Sequence, residues 1–356
     1  MRLAYVINSL EAGGAQYPIP RIVAGLRAHG IATTVYALSR RDDLAVPALE
    51  AAGVPMIRAP FAKAQHLAGY RWLAAELARQ QPDAIWTSLT QATLLGQRVG
   101  KRHRIPVISW QHNAFLKPAN RRLLRLQRRI SQFWVADSES VAAFTQNELG
   151  VAESEIEILP LYVARSDAPQ ATPYVSGPFE WLSVGRLHPN KNYAALIEVF
   201  ASIAKRDDVR LRIAGQGSEH ERLDALIAQL DLSDCVQLLG HVGDIPALLA
   251  TAHGYIQPSH NEGLCIAAHE AMAASLPCLV SKTGQMALTV TPGHAFSAQD
   301  PSCMRRVLHH VMSDVPKFSA TGATNRARVL ERFSQARFDA AIAAIAARLR
   351  DVTQSA

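Results

Sequence analysis

The stretch DIPALLATAHGYIQPSHNEGLCIAAHEAMAASLPCLVS, residues 244–281, decides the fold. GYIQP (254–258) reads as a short strand, a Pro-Ser-His-Asn loop follows, and from Gly263 the sequence turns to Ala, Ile, Met and Leu, which are good helix formers. PCLVS (277–281) is strand-like again, so the segment spells strand, helix, strand, the repeating unit of a parallel sheet. A helix that opens at Gly263 leaves its first backbone N–H groups without intrahelical partners. That end carries a partial positive charge where an anion can sit. Glu262 and Glu270 bracket this start, eight positions apart. At ~1.5 Å per residue Glu270 lies about two turns along, roughly 10 Å from the anion position, so two carboxylates can grip opposite ends of one nucleotide-sized molecule. The plainer alternative makes Glu262 a helix cap and Glu270 a solvated helix residue.

The same rhythm extends in both directions. LAYVIN (3–8), TTVYAL (33–38), PMIRA (55–59), AIWTS (84–88), PVISW (106–110), FWVAD (133–137) and IEILP (156–160) alternate with helical patterns, which predicts a parallel sheet covered on both faces. RSDAPQATPYVSGP (165–178) interrupts this with three prolines and reads as a linker. Afterwards FEWLSVG (179–185), VRLRIAG (209–215), CVQLLG (235–240) and the two strands already named restart the pattern. Two doubly wound domains follow, and such sheets bind ligands beyond the carboxyl ends of their strands, in a cleft when two of them face each other. From about Ser302 onward the chain is helical.

A length of 356 residues suits two domains, and 49% apolar with 19% charged residues describes an ordinary globular protein. No apolar run reaches the ~18 residues of a membrane span, and MRLAYVINSL reads as a first strand rather than a leader, so the expected location is the cytoplasm. The four cysteines, Cys235, Cys265, Cys278 and Cys303, lack the paired short spacing of a zinc site or a disulfide framework. A net charge of +7 points to an acidic partner, and between Asp83 and Asp137 there are ten Lys/Arg and no acid. Within that interval ANRRLLRLQRRISQFW (119–134) reads as an amphipathic basic helix carrying Arg121, Arg122, Arg125, Arg128 and Arg129. It fits a solvated face packed on its own sheet, a nucleic-acid surface or a docking site for anionic lipid. No aromatic stacking platform accompanies it, which speaks against nucleic acid.

Four further motifs sit after strands. SVGRLHPNKNYAAL (183–196) places Arg186 and Lys191 in one loop, where a guanidinium and an ammonium can hold a diphosphate or be mere solvated cations. AGQGSEHERL (214–223) has Gly215 and Gly217 in a turn that any tight strand-to-helix connection would use. INSLEAGGAQ (7–16) carries Gly13 and Gly14, suited to a phosphate or to a plain turn. His112, in SWQHNAF, follows the fifth strand as either a catalytic group or a structural hydrogen-bonder. Asp42-Asp43 and Asp207-Asp208 read as solvated turns, and no DxD-like motif marks a metal site.

The order strand-GG loop, post-strand histidine, GRLxxxK, GxG and E-x7-E resembles the retaining glycosyltransferases of family 4, and the likeness covers nearly the whole chain. It implies the GT-B fold: an α/β protein with two doubly wound Rossmann-like domains facing across a cleft. The expected parts are residues 1–166 on the acceptor side, residues 167–333 for the nucleotide sugar, and a C-terminal helix within 334–356 crossing back to the first domain. By the resemblance the reaction moves a hexose from a UDP- or GDP-sugar to an acceptor hydroxyl with retention, by front-face displacement. It needs no metal and no cofactor beyond the nucleotide-sugar co-substrate. Arg186 and Lys191 would bind the diphosphate, Glu262 the donor sugar and Glu270 the ribose. The N–H groups of Leu264, Cys265 and Ile266 would complete the phosphate site, Gly13, Gly14, Gly215, Gly217 and Gly263 would also bind the donor, and His112 would sit beside the donor sugar and the incoming hydroxyl. The family's frequent use of lipid-linked or envelope-glycan acceptors favours the membrane reading of the basic helix, at the inner face of the cytoplasmic membrane. The same fold also serves non-catalytic nucleotide-sugar binders and sugar-nucleotide epimerases.

The chain departs from the family at Gln16, where an acid is common, and at Cys265 and Ser275, where glycine is common. TGQM (283–286) lacks the usual acid, and Pro18 and Pro20 disturb the expected first helix.

Overall fold

The computed structural model describes residues 1–11, 13–62, 65–204 and 208–354. They form two compact units, Met1–Leu161 with Gln335–Ala356, and Tyr162–Ser334. The first unit is built on β1 (Arg2–Ile7), β2 (Ala32–Ala37), β3 (Met56–Arg58), β4 (Ala84–Ser88), β5 (Val107–Gln111), β6 (Ser131–Ala136) and β7 (Ile156–Ile158). Their order is β3-β2-β1-β4-β5-β6-β7, with every pairing parallel. Register aligns the carboxyl ends: Ile7 lies opposite Ser88, Ser88 opposite Trp110, and Trp110 opposite Val135. Whatever follows β4, β5 and β6 therefore emerges along one edge of the sheet.

The second unit repeats the plan with β8 (Phe179–Val184), β9 (Val209–Ala214), β10 (Val236–Gly240), β11 (Gly254–Gln257), β12 (Cys278–Ser281) and β13 (Ala295–Phe296), in the parallel order β10-β9-β8-β11-β12-β13. The two-residue β13 is a strand that the sequence pattern does not announce. Strands covered on both faces read as continuous apolar runs, and the fully buried Trp86, Trp110, Trp134 and Trp181 all lie on them. Burying such large side chains between sheet and helices supplies most of the folding force.

Two helical expectations change. Pro18 and Pro20 do not break the first helix: it runs Ile19–Ala28, with Pro18 at the cap and Pro20 in the first turn, where a missing N–H costs nothing. The basic helix ends earlier than 134. It spans Pro118–Gln127, a tight turn covers Arg128–Ile130, and residues from Ser131 belong to β6, which buries Phe133.

The helix Gln335–Gln354 packs within the first unit. A side chain at Gly25 would come within 3.2 Å of Ile342, Arg348 reaches Glu157 at 2.8 Å, and its guanidinium lies 4.7 Å from the centre of the Phe133 ring. In the second unit the helix Val315–Arg332 lies close against the end of Ile266–Ala273. A Cβ at Gly322 would overlap the carbonyl oxygen of Ser275, while Asn325 and Arg326 donate to the carbonyls of Leu276 and Ala273. Gly322→Ala should therefore destabilise the chain by about 1–3 kcal/mol, as overpacking does, with chemical denaturation as the measurement. An unchanged midpoint would show that the two helices part without cost.

Candidate active site

In the second unit the sheet order reverses between β8 and β11, and the loops leaving these two strands carry the candidate residues. Lys191 stands at the end of a short 3₁₀ turn, Pro189–Lys191, after β8. Glu262 stands in the loop after β11. Their side chains meet, with Lys191 Nζ donating to Glu262 Oε1 at 2.7 Å, and are only 20% and 12% exposed. Burial opposes the lysine's charge, but the Glu262 carboxylate overrides it and holds the ammonium above its usual range. Glu262 is thus no helix cap.

The surrounding loops fix this pair. Asn190 donates to the Asn261 carbonyl at 2.8 Å, accepts from the Asn261 amide at 3.2 Å, and its own carbonyl takes the His260 N–H at 2.8 Å. Asn192, in a left-handed conformation at φ 58°, donates to the carbonyls of Pro258 and Ala298. Gly185 leaves room for its neighbours: a Cβ there would lie 2.8 Å from the Tyr193 hydroxyl and 3.1 Å from the Lys191 side chain. Gly215 and Gly217 do the same for the chain itself, since a Cβ on either would strike the backbone of Gly185 or Leu187. TGQM, read from sequence as a reduced motif, supports the glutamate loop. Gln285 N–H donates to the Gly263 carbonyl at 2.8 Å, and a Cβ on Gly284 would strike that carbonyl.

The helix carrying Glu270 begins at Ile266, not Gly263, and runs to Ala273. Gly263 and Leu264 lie in the preceding loop, and Cys265 caps the helix in the left-handed region at φ 60°. The left-handed conformation costs an L-residue about 1–2 kcal/mol, which explains why glycine suits this place. The Cys265 thiol is pushed up to about 12 by burial and by the Glu262 carboxylate beside it. Glu270 differs from Glu262. Among the described residues nothing hydrogen-bonds or ion-pairs with its half-buried carboxylate, and burial alone pushes it above the usual carboxylate range. Arg186 lies on the exposed rim of the loop that bears Lys191.

Gly13, Gly14 and His112 belong to the first unit. A Cβ on Gly13 would lie 2.6 Å from Gln16 Oε1, the end of a flexible side chain, and the Gly13 carbonyl accepts from the N–H groups of Gln16 and Tyr17. Gln16 turns inward to donate to the Ser9 carbonyl at 3.1 Å, while Gly14 is exposed. His112 follows β5 and is 7% exposed. Its Nε2 lies 2.7 Å from Ser88 Oγ, its Nδ1 lies 3.0 and 3.1 Å from the two oxygens of Asp137, and Trp110 stacks on the ring at 4.8 Å. Sequence reading missed Ser88 and Asp137, whose only signal is a polar residue at the carboxyl end of an apolar strand. It missed Asn190 and Asn192 as well.

Of the acidic turns, Asp43 is an ion-pair member, 2.7 Å from Arg58, rather than a merely solvated residue. Asp208 is exposed, and Asp207 lies outside the described residues. Among the described residues no group of three or more His, Cys, Asp or Glu is placed to hold a metal.

His269 lies fully buried on the same helix, between Glu262 and Glu270 in sequence. Its ring bonds to the Cys265 carbonyl at 2.9 Å and to Thr289 Oγ1 at 3.1 Å. Burial depresses its pKa from the ordinary 6.5 to about 4. Between these values the unfolded chain binds a proton that the folded chain refuses, so stability falls as pH drops below 6.5. The loss approaches about 3 kcal/mol near pH 4. His269→Gln should therefore be less stable than wild type at pH 7.5, with the gap closing toward pH 4.5 in denaturation curves. A gap independent of pH would mean that His269 titrates normally.

Comparison with known proteins bears on the whole chain. A family model described as Glycosyltransferase Family 4 matches residues 12–164, and one described as Glycosyl transferases group 1 matches residues 165–309. Among curated proteins, a GDP-mannose-dependent monoacylated alpha-(1-6)-phosphatidylinositol monomannoside mannosyltransferase of Corynebacterium glutamicum is 31% identical over 161 residues, 42% of each chain. Mannosylfructose-phosphate synthase of Agrobacterium fabrum is 30% identical over 131 residues, 34% of this chain and 29% of that protein. An uncharacterized glycosyltransferase of Haemophilus influenzae is 37% identical over 97 residues, 27% of this chain and 28% of its own length. These matches span between about a quarter and two fifths of the relatives. Among solved structures, Anabaena HepE in complex with UDP superposes with a TM-score of 0.80 at 19% identity over 100% of both chains. WaaG, a glycosyltransferase involved in lipopolysaccharide biosynthesis, superposes at 0.72 and 18% identity, over 98% of this chain and 99% of its own. The two family matches adjoin and together run from residue 12 to residue 309: the chain belongs to the family-4 glycosyltransferases, on the GT-B fold.

Proposed function

We propose that the protein transfers a hexose from a nucleoside-diphosphate sugar to an acceptor hydroxyl, with retention at the anomeric carbon and without a metal. One observation carries this reading: the part-buried Lys191–Glu262 pair at the switch point, followed by a Glu270 carboxylate that has no partner among the described residues. An ammonium there suits a phosphate, and two carboxylates suit hydroxyl groups. In this scheme Lys191 and Arg186 hold the diphosphate and neutralise the charge it gains as it leaves. The N–H groups around Cys265 and Ile266 add to that charge compensation. Glu262 orients the hexose hydroxyls and Glu270 the ribose hydroxyls. The departing phosphate oxygen takes the acceptor's proton on the same face as the attack. The Corynebacterium relative's GDP-mannose and the UDP-glucose bound in a HepE structure make UDP and GDP the bases to try first.

Glu270 gives the cleanest test. It neutralises no neighbouring cation among the described residues, so Glu270→Gln should leave the melting temperature unchanged or slightly raised. It should weaken binding of the preferred donor by about tenfold, the worth of one good hydrogen bond to a charged group. The donor comes from thermal shifts against UDP-, GDP-, ADP- and CMP-sugars, and acceptor-dependent release of nucleoside diphosphate then separates a transferase from a binder or an epimerase. No shift with any nucleotide sugar, or unchanged affinity in the variant, would overturn the assignment.

The acceptor is proposed to be lipid-linked or an envelope glycan, met at an anionic membrane surface. Of the helix Pro118–Gln127 only Leu124 is buried, whereas Leu123 and Leu126 are 39% and 72% exposed. Arg121 is engaged by Glu148 and Arg128 by the Gly150 carbonyl, so the exposed Arg122, Arg125 and Arg129 are the candidates for headgroup contact. Leucines between arginines on an exposed helix match the chemistry of a peripheral lipid anchor, and no helix among the described residues is long and apolar enough to cross a membrane. Sedimentation with phosphatidylglycerol vesicles but not phosphatidylcholine vesicles, lost in high salt and in an Arg122→Glu/Arg125→Glu variant, is the expected result. Equal sedimentation with both vesicle types would rule this surface out.

A further inference from the structure

The carboxyl ends of β4, β5 and β6 bring Ser88, His112 and Asp137 into one buried chain, Ser88 Oγ to Nε2 at 2.7 Å and Nδ1 to the Asp137 oxygens at 3.0 and 3.1 Å. We propose that Asp137 is a positioning residue that fixes His112 as the neutral Nδ1–H tautomer, leaving Nε2 as a hydrogen-bond acceptor for a substrate hydroxyl, with Ser88 filling that place until substrate arrives. The proposal rests on the reading that His112 faces the transferred sugar.

The tautomer follows from the partners. A carboxylate only accepts, and Nδ1 meets Asp137 Oδ2 in a hydrogen bond of 3.1 Å, while Oδ1, 3.0 Å away, makes no hydrogen bond. The opposite tautomer would set the Nδ1 lone pair against a carboxylate that is 1% exposed, two buried acceptors with no proton between them. With the ring proton on Nδ1, Nε2 has only its lone pair, so the Ser88 hydroxyl donates. Trp110 stacked on the ring at 29° holds the imidazole plane, and the hydrogen bonds at both nitrogens hold its rotation.

The consequence is a selectivity. A neutral imidazole with Nε2 unprotonated welcomes an O–H and refuses a phosphate oxygen, which is itself an acceptor. His112 is therefore set to receive a sugar or acceptor hydroxyl and takes no part in gripping the diphosphate.

The test begins with the wild-type chain. ¹⁵N NMR of the histidine-labelled full-length protein at pH 7.5, with the His112→Gln variant to assign the signals, should show Nδ1 protonated and Nε2 in the pyridine-like state. A ring protonated at Nε2, alone or together with Nδ1, overturns the proposal whatever the protein's activity. Asp137→Asn then reverses the polarity, because its amide N–H faces Nδ1 and drives the ring proton to Nε2. The variant should lose roughly tenfold to a hundredfold in kcat for diphosphate release from UDP-glucose or GDP-mannose, with donor KM changed little. Wild-type kcat in a variant whose His112 has switched tautomer removes the role in turnover. Failure of the wild-type chain to turn over any nucleotide sugar would count against the transferase reading, while the NMR spectrum still judges the tautomer.

Discussion

The candidate site of the second unit is arranged around one contact, the part-buried ion pair between Lys191 and Glu262. Taking an ammonium and a carboxylate out of water costs several kcal/mol each, and their attraction offsets this only when geometry is good and the remaining hydrogen-bonding capacity is met. The loops of this unit meet that condition through groups that make no sense separately. Asn190 ties the lysine loop to the glutamate loop from both sides, and Gly185 leaves space for the ammonium. Gly215 and Gly217 bring the neighbouring turn against Gly185 and Leu187, and Gly284 lets the TGQM loop reach the carbonyl of Gly263. Each glycine is explained by the backbone or side chain it would otherwise strike.

Much of the fold is legible because parallel sheets covered on both faces leave continuous apolar runs, and among the described residues twelve of the thirteen strands fall within a residue or two of such runs. The exception is β13, whose two residues carry no pattern. Errors cluster where one local signal was read without its context. Glycine at 263 resembles a helix start, but the chain spends two more residues on the loop and enters the helix through Cys265 in a left-handed conformation. Pro18 and Pro20 look like helix breakers and are helix starters, because a proline in the first turn lacks only an N–H that would have had no partner. Arginines and leucines continue past Gln127 as if the helix did, yet Phe133 and Trp134 are drawn into the sheet by the larger burial available there.

The site was legible by type rather than by contact. Lys191 and Glu262 are 71 positions apart, and nothing in spacing alone says that one neutralises the other. That follows only from the sheet order, which brings the ends of β8 and β11 together. Ser88 and Asp137 were invisible for a related reason: Ser and Asp after apolar strands are common turn and cap residues. Their meaning lies in the register that sets Ser88 beside Trp110 and Trp110 beside Val135, so that His112 stands between them. Ser138, next to Asp137, does serve as a helix cap, accepting from Val141, which shows how little the sequence separates the two uses.

The two glutamates of the E-x7-E segment look equivalent in sequence and are opposite in state. Glu262 already has a counter-ion, whereas Glu270 keeps a partly desolvated carboxylate that no described residue satisfies. Under the proposed function a donor diphosphate competes with Glu262 for Lys191. As the ammonium turns toward phosphate, Glu262 loses part of its compensation in a site where an unpaired charge is costly. Hydroxyl groups of the hexose can restore it, and a nucleoside diphosphate without a sugar cannot. Recognition of the phosphates and of the sugar is then coupled through one ion pair, while ribose recognition by Glu270 is independent of it. The two carboxylates of one segment are thus placed differently: Glu262, in the loop, meets the lysine of the loop after β8, and Glu270, about one turn into the helix that begins at Ile266, does not.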